Sequence, residues 1–222
     1  MGEGSILMKI KGIIFDLDGT LANTLPVCCA AFRPVLHDIT GREYSDPEIM
    51  ALFGPNEEGI LQQIAGDDWQ QAHQRFLAEY EAHHDACRAT FDGIDETLRH
   101  INESGARMAI ITGKGAGSAE ISVRRLGLTA YFDLIASGSA TGVVKAQQIR
   151  EVAEQWALPI EQIAYVGDTA YDMEHATEAG AAPIAAAWAD TADRDALQVT
   201  RPHELFTTVA DFDRWVRAHV SG

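Results

Sequence analysis

Apolar positions come first as a short, unbroken run, Gly12-Ile13-Ile14-Phe15, which stops abruptly at Asp16-Leu17-Asp18-Gly19-Thr20. A β-branched apolar run bounded by a polar, glycine-containing stretch predicts a buried strand. From about residue 23 to 91 the spacing turns helical, with almost no strand signal. Leu25, Cys28, Cys29, Phe32, Val35 and Leu36 recur on one helical face behind Thr24 and Pro26. Pro34 is expected to kink or divide that helix. Asp46-Pro47 opens a second helix through Ile49, Leu52 and Phe53, stopped at Gly54. Asn56 caps a third, carrying Ile60, Leu61 and Ile64 and ending at Gly66. A fourth runs from about Asp67, with Trp69, Phe76, Leu77, Tyr80 and Cys87 on one face. Four short helices with apolar faces predict a small bundle.

After Phe91-Asp92-Gly93 the two periods alternate. Strands are expected at 108–111, 133–136, 163–166 and, more weakly, 183–186. Helices are expected near 95–103, 118–126, 146–156, 175–179 and 209–219, three of them stopped by Gly105, Gly127 and Gly180. Such alternation predicts an α/β fold, a doubly wound parallel sheet of the Rossmann-like kind. Residues 1–22 and 92–222 then form the core, and residues 23–91 an inserted all-helical domain.

Composition narrows the class. The 222 residues are 46% hydrophobic and 23% charged, which is globular and large enough to bury a core without disulfides. The net charge is −16 and there are four lysines, Lys9, Lys11, Lys114 and Lys145, so neither nucleic acid nor an anionic membrane is an expected partner. Three cysteines, two of them adjacent, make neither a disulfide framework nor a zinc site and point to the reducing cytoplasm. The longest apolar stretches, such as 181–189, are far short of a membrane span. The first residues lack the features of a signal peptide, and Ile6 breaks the myristoylation pattern. Met8 is an alternative start that leaves the first seven residues as a loose tail.

The chemistry lies at strand ends, which a parallel sheet gathers on one edge. Asp16 and Asp18 end the first strand, Thr112 the second and Asp168 a later one, while Lys145 follows a fourth. Together with Asp172 these are four carboxylates, which repel unless a divalent cation or a lysine compensates. Hard oxygen ligands in this number suit Mg²⁺. Thr112, the backbone amides from Gly113 onward and Lys145 supply donors for an anion, and the segment leads into a helix whose amino end favours phosphate. A metal, a carboxylate nucleophile and a phosphate cradle together indicate phosphoryl transfer. Gly113-Lys114-Gly115-Ala116-Gly117 also approaches a dinucleotide fingerprint, with Asp133 downstream, but Ser118 stands where the third glycine belongs. His83 and His84 are expected to face solvent, and Trp69, Trp156, Trp188 and Trp215 to pack.

The ordered set Asp16-Leu17-Asp18-Gly19-Thr20, Thr112, Lys145 and Gly167-Asp168-Thr169-Ala170-Tyr171-Asp172 resembles the haloacid dehalogenase superfamily of phosphohydrolases, especially its phosphoglycolate-phosphatase-like members. The resemblance runs from about residue 9 to 190, and it makes the helical insert a cap. Asn23 stands where relatives usually carry an acid, and Ala146 where a proline usually follows the motif lysine. The resemblance implies that Asp16 is the nucleophile, forming an aspartyl-phosphate, and that Asp18 protonates the leaving oxygen and then activates water. An i, i+2 pair is how one strand aims two acids at one phosphate. It further implies that Asp16, the Asp18 backbone carbonyl and Asp168 hold Mg²⁺ with Asp172 in support, and that Thr112, Gly113 and Lys145 bind phosphoryl oxygens.

The implied activity is Mg²⁺-dependent hydrolysis of a small phosphate monoester, a phosphoglycolate-like compound or a sugar phosphate, by a monomer or weak homodimer. A phosphomutase and a phospho-acceptor domain without turnover are the alternatives. Asp18 argues against a dehalogenase, and a cap without lysine against a phosphonate-cleaving relative. Residues 21–92 hold 12 acids and 4 basic residues, all arginine, a balance that disfavours very anionic leaving groups. The loop 53–58 is expected to close over the leaving group, with Asn56 and Glu57 adjusting preference among esters.

Overall fold

The computed structural model describes residues 9–222; the proposed tail of seven residues lies outside them. Six strands form one parallel sheet: β1 (Gly12–Phe15), β2 (Arg107–Ile111), β3 (Leu134–Ala136), β4 (Ile163–Gly167), β5 (Ala182–Ala186) and β6 (Glu204–Phe206), in the order β3-β2-β1-β4-β5-β6. The direction of winding reverses between β1 and β4, the crevice where open α/β sheets place their ligands. All four residues of β1 are buried because the strand is central and covered on both faces.

Between β1 and β2 the chain forms α1 (Leu25–Thr40), α2 (Asp46–Met50), α3 (Glu57–Ala65), α4 (Trp69–His83) and α5 (Ile94–Ser104). The later helices are α6 (Ala116–Arg125), α7 (Lys145–Trp156), α8 (Ala170–Ala179), α9 (Arg194–Val199) and α10 (Val209–His219). Side chains alternate across a strand, so Ile13 and Phe15 enter one layer with α5 and α10, through Leu98, Ile101, Phe212 and Trp215. Ile14 enters the opposite layer with α7 and α8, through Ile149, Val152 and Ala176. A third cluster, with Phe32, Leu36, Leu61, Phe76 and Tyr80, joins α1, α3 and α4 and reaches Ile121 on α6.

Some local expectations are corrected. Pro34 does not divide α1, which runs on for 16 residues. Its missing amide lies on a half-buried side, and Phe32, Val35 and Leu36, all buried, hold the helix together around it. The second helix ends at Met50 rather than at Phe53, which is 38% exposed in the following loop. Cys87 lies past the end of α4, behind a 3₁₀ turn at His84–Ala86. The helix expected at 175–179 begins at Ala170, where Thr169 caps it. The short elements α9 and β6 have no counterpart among the expected ones.

Candidate active site

β1 ends at Phe15, and its main chain carries Asp16 onward by a ladder bond from the Asp16 amide to the Val166 carbonyl at 2.9 Å. The turn that follows needs Gly19, which adopts φ +75°; a Cβ there would lie 2.1 Å from Asp168 Oδ2. That close approach brings β1 and β4 together, and the Thr20 hydroxyl donates to Asp168 Oδ1 at 3.2 Å.

Lys145, the first residue of α7, bridges two carboxylates, with Nζ 3.2 Å from Asp16 Oδ1 and 2.6 Å from Asp172 Oδ1. Burial alone depresses a lysine, but these two acids hold Lys145 well above its ordinary value. Asp172 is the most enclosed carboxylate. Lys145 and the Tyr165 hydroxyl (3.1 Å) reach its Oδ1, while the Thr169 amide (3.1 Å) and hydroxyl (2.5 Å) donate to Oδ2. Burial pushes its carboxyl up, but Lys145 and these hydrogen bonds prevail, and it falls below the usual carboxylate range. Desolvation pushes Asp16 up to about 7, with Lys145 opposing and Asp172 and Asp18 reinforcing. Desolvation, then Asp16 and Asp172, push Asp168 up to about 8.

These facts bear on a cation. Asp16, Asp168 and Asp172 each offer an oxygen, all within 4.8 Å of one another. Asp172 has both oxygens engaged in hydrogen bonds. Asp16 Oδ1 is buried and accepts no hydrogen bond, since Lys145 stands at ion-pair distance but off the hydrogen-bond direction. Two carboxyls driven towards neutrality beside an orphaned oxygen lack positive charge, and hard oxygen donors in that state fit Mg²⁺.

Asp18 has different partners. Its Oδ1 accepts from the Thr24 hydroxyl and stands 3.2 Å from Lys114 Nζ. Lys114 is 5% exposed and lies with Nζ 4.7 Å over the Tyr80 ring of α4. The sequence singles out its segment but gives Lys114 no role. Thr112 is fully buried at the end of β2 and accepts from the Lys114 amide at 3.3 Å. Gly113, Lys114, Asp16, Asp18, Lys145 and Asp168 line a cavity of about 200 Å³, while Thr112 and Asp172 stand behind its wall.

The helical insert closes this cavity. Asn56 donates from Nδ2 to the Gly138 carbonyl at 3.0 Å, and its main-chain amide donates to Ser139 at 2.9 Å. Glu57 accepts from the Gly115 amide and, at 2.6 Å, from the Ser118 hydroxyl. His84 does not face solvent as expected: it is 1% exposed and lies 3.2 Å from Ser122 Oγ, which in turn is 2.8 Å from the Tyr80 hydroxyl. Ser122 is on α6, outside any local sequence window around His84.

A doubly wound sheet with a helical insert over strand-end carboxylates, the buried Lys114 and the half-buried Lys145 defines a capped phosphohydrolase. Residues 13–186 match the haloacid dehalogenase-like hydrolases; the chain belongs to that family and is a phosphatase. The phosphoglycolate phosphatase of Cereibacter sphaeroides is 30% identical over 179 residues, covering 77% of this chain and 82% of that protein. The pyrophosphatase PpaX of Bacillus mycoides is 23% identical over 206 residues, 92% of this chain and 95% of that one. In fold, the chain is similar to CbbY from Rhodobacter sphaeroides, solved in complex with phosphate: TM-score 0.78, 19% identity, 91% of this chain and 96% of that one.

Proposed function

We propose that the protein hydrolyses a small phosphate monoester by way of an aspartyl-phosphate on Asp16, with Mg²⁺ as cofactor. The observation that carries this reading is one cavity lined by Asp16, Asp18, Lys145 and Asp168, in which Asp16 retains an unbonded oxygen. Asp16 attacks phosphorus, the ester P–O bond breaks, and Asp18 gives its proton to the departing alkoxide. Asp18 then takes a proton from the water that attacks the aspartyl-phosphate, which frees phosphate and restores Asp16. Lys145 and the Gly113 amide hold the phosphoryl oxygens, with Thr112 shaping the loop behind them. Asp16, Asp168 and the main-chain carbonyl of Asp18 hold Mg²⁺, which when bound neutralises developing charge on the phosphoryl group.

Residues 23–91 act as the cap, excluding bulk water while the chemistry proceeds. Cys28, Cys29 and Cys87 are buried and unpaired, which supports a reducing compartment, the cytoplasm. No helix among the described residues is long and apolar enough to cross a membrane. The test is a screen of phosphate esters, with pyrophosphate, phosphoglycolate and sugar phosphates included, read as free phosphate with Mg²⁺ and with chelator. Release that needs Mg²⁺ is the expected result. Stable phosphorylation of the protein without turnover would instead favour a phospho-acceptor domain.

A further inference from the structure

Glu57 is the first residue of α3, yet it is only 4% exposed. Its two carboxylate oxygens take the Gly115 amide and the Ser118 hydroxyl at the start of the ten-residue α6. That helix start is the anion seat the sequence marks out, and a carboxylate of the cap itself fills it. Asn56 next to it is pinned to Gly138 and Ser139, so the carboxylate is held in place from its own side as well.

The remaining positive charge at the cavity is already committed. Lys145 faces Asp16 and Asp172, and Lys114 faces Asp18 at 3.2 Å. The cap arginines turn outward: Arg33, Arg42, Arg75 and Arg88 pair with Asp46, Glu48, Asp38 and Asp85, and none lines the cavity. Two lysines therefore stand against the four carboxylates of Asp16, Asp18, Glu57 and Asp168 in its wall. Apart from Asn56, whose side chain is engaged with Gly138 and Gly59, the rest of the cap side carries no polar side chain: Leu25, Cys28, Phe32, Phe53, Pro55 and Ile60.

Resting on the phosphatase reading, we propose that the leaving-group half of this cavity takes a compact, uncharged alcohol, and that Glu57 is the specificity-determining residue that keeps a second anionic group out. A carboxylate or second phosphate on the leaving group meets a fixed negative charge, while both lysines of the wall already face carboxylates. Specificity by repulsion needs such an element in addition to the attractive contacts. A neutral alcohol meets apolar wall and loses nothing. Phosphoglycolate, whose leaving group carries a carboxylate, is then a poor substrate.

The test uses three esters of one chain length: n-propyl phosphate, 3-phosphonooxypropanoate and propane-1,3-diol bisphosphate, each assayed with Mg²⁺ on the full chain. Wild-type kcat/KM is expected to favour the propyl ester over either charged ester by about tenfold or more, the scale of one well-placed like charge. Glu57→Gln keeps one oxygen acceptor, for the Gly115 amide, and turns an NH2 donor towards the Ser118 hydroxyl, which can accept; it is expected to narrow both ratios. Equal or greater wild-type efficiency on the charged esters overturns the inference, and the wild-type ratio decides this whether or not the variant folds. A variant in which all three esters fall together, with the ratios unchanged, overturns the role of Glu57. If none of the three is hydrolysed, the phosphatase reading itself fails and the inference with it, an outcome distinct from a charged preference.

Discussion

Asp16 and Asp18 sit two residues apart, but their surroundings differ, and substitution separates them. Asp16→Asn is nearly isosteric and removes the attacking charge; kcat is expected to fall by more than about 10³-fold, as when a covalent step is abolished. A variant that kept a tenth of wild-type activity would rule out Asp16 as the nucleophile. Stability is expected to hold, because Lys145 retains Asp172 at 2.6 Å. Asp18→Asn differs on both counts. Water then lacks its base, whereas a p-nitrophenyl ester leaves more easily without a proton, so with that ester phospho-enzyme is expected to accumulate in rapid-quench experiments, and equal impairment of both half-reactions would count against that role. Among the described residues, Asp18 is the carboxylate within ion-pair distance of Lys114, whose cation is 5% exposed. Leaving it unpaired is expected to cost about 3–5 kcal/mol in urea unfolding, far more than Asp16→Asn.

Helix starts were the most legible elements, because a capping side chain and the amide it serves lie within one turn. Asn56 accepts from the Gly59 amide at 3.0 Å, and α10 starts where expected, with Thr208 accepting from the Asp211 amide at 3.2 Å; the Thr169 cap of α8 is the exception, a start that the sequence pattern puts at 175. The β1 motif was legible for the same local reason: an apolar run cut off by acids is a buried strand meeting the sheet edge. What the sequence hid is made by distance along the chain. His84 is buried against Ser122, 38 positions away, the Tyr80–Ser122 contact beside it spans 42 positions, and the Lys114 partnership spans the turn after β1, the loop after β2 and α4. The three-residue β6 has too few positions for a period to register, and Pro34 shows tertiary packing overriding a helix-breaking signal. Asn56 combines both kinds of information, as cap of α3 and as donor to Gly138 across to the core. Asn56→Ala is therefore expected to cost about 2 kcal/mol, a lost cap plus a lost hydrogen bond. Denaturant midpoints compared with Thr208→Ala check this; Thr208 caps α10 without a contact to the cap and is expected to lose only about 1 kcal/mol.

At the scale of the whole molecule, a chain of net charge −16 places three carboxylates of that surplus together inside, at the edge of a central sheet. Their titration couples to folding with a definite sign. Asp16 and Asp168 rise from 3.8 to about 7 and about 8, so across roughly pH 4–8 the folded, metal-free protein holds protons that the unfolded chain has released. Stability from these two groups is thus greatest at the acid side of that window and is lost as pH rises through it. Asp172 has the opposite shift, and its contribution is already complete above its unfolded value. On the proposed reading Mg²⁺ reverses the trend, because a cation held by the ionised carboxylates would stabilise the folded state by mass action. Metal-free protein is expected to have a lower Tm at pH 8 than at pH 5.5, and saturating Mg²⁺ is expected to raise Tm more at pH 8. The comparison needs one buffer ionic strength throughout, since the surface charges of so acidic a chain are themselves screened by salt. Asp16→Asn separates the site from that background: removing one of the two raised carboxyls is expected to flatten the metal-free slope between pH 5.5 and 8 and to shrink the Mg²⁺ increment. An Mg²⁺ increment equal at both pH values, or unchanged in the variant, would mean that the buried carboxylates are not where the cation binds.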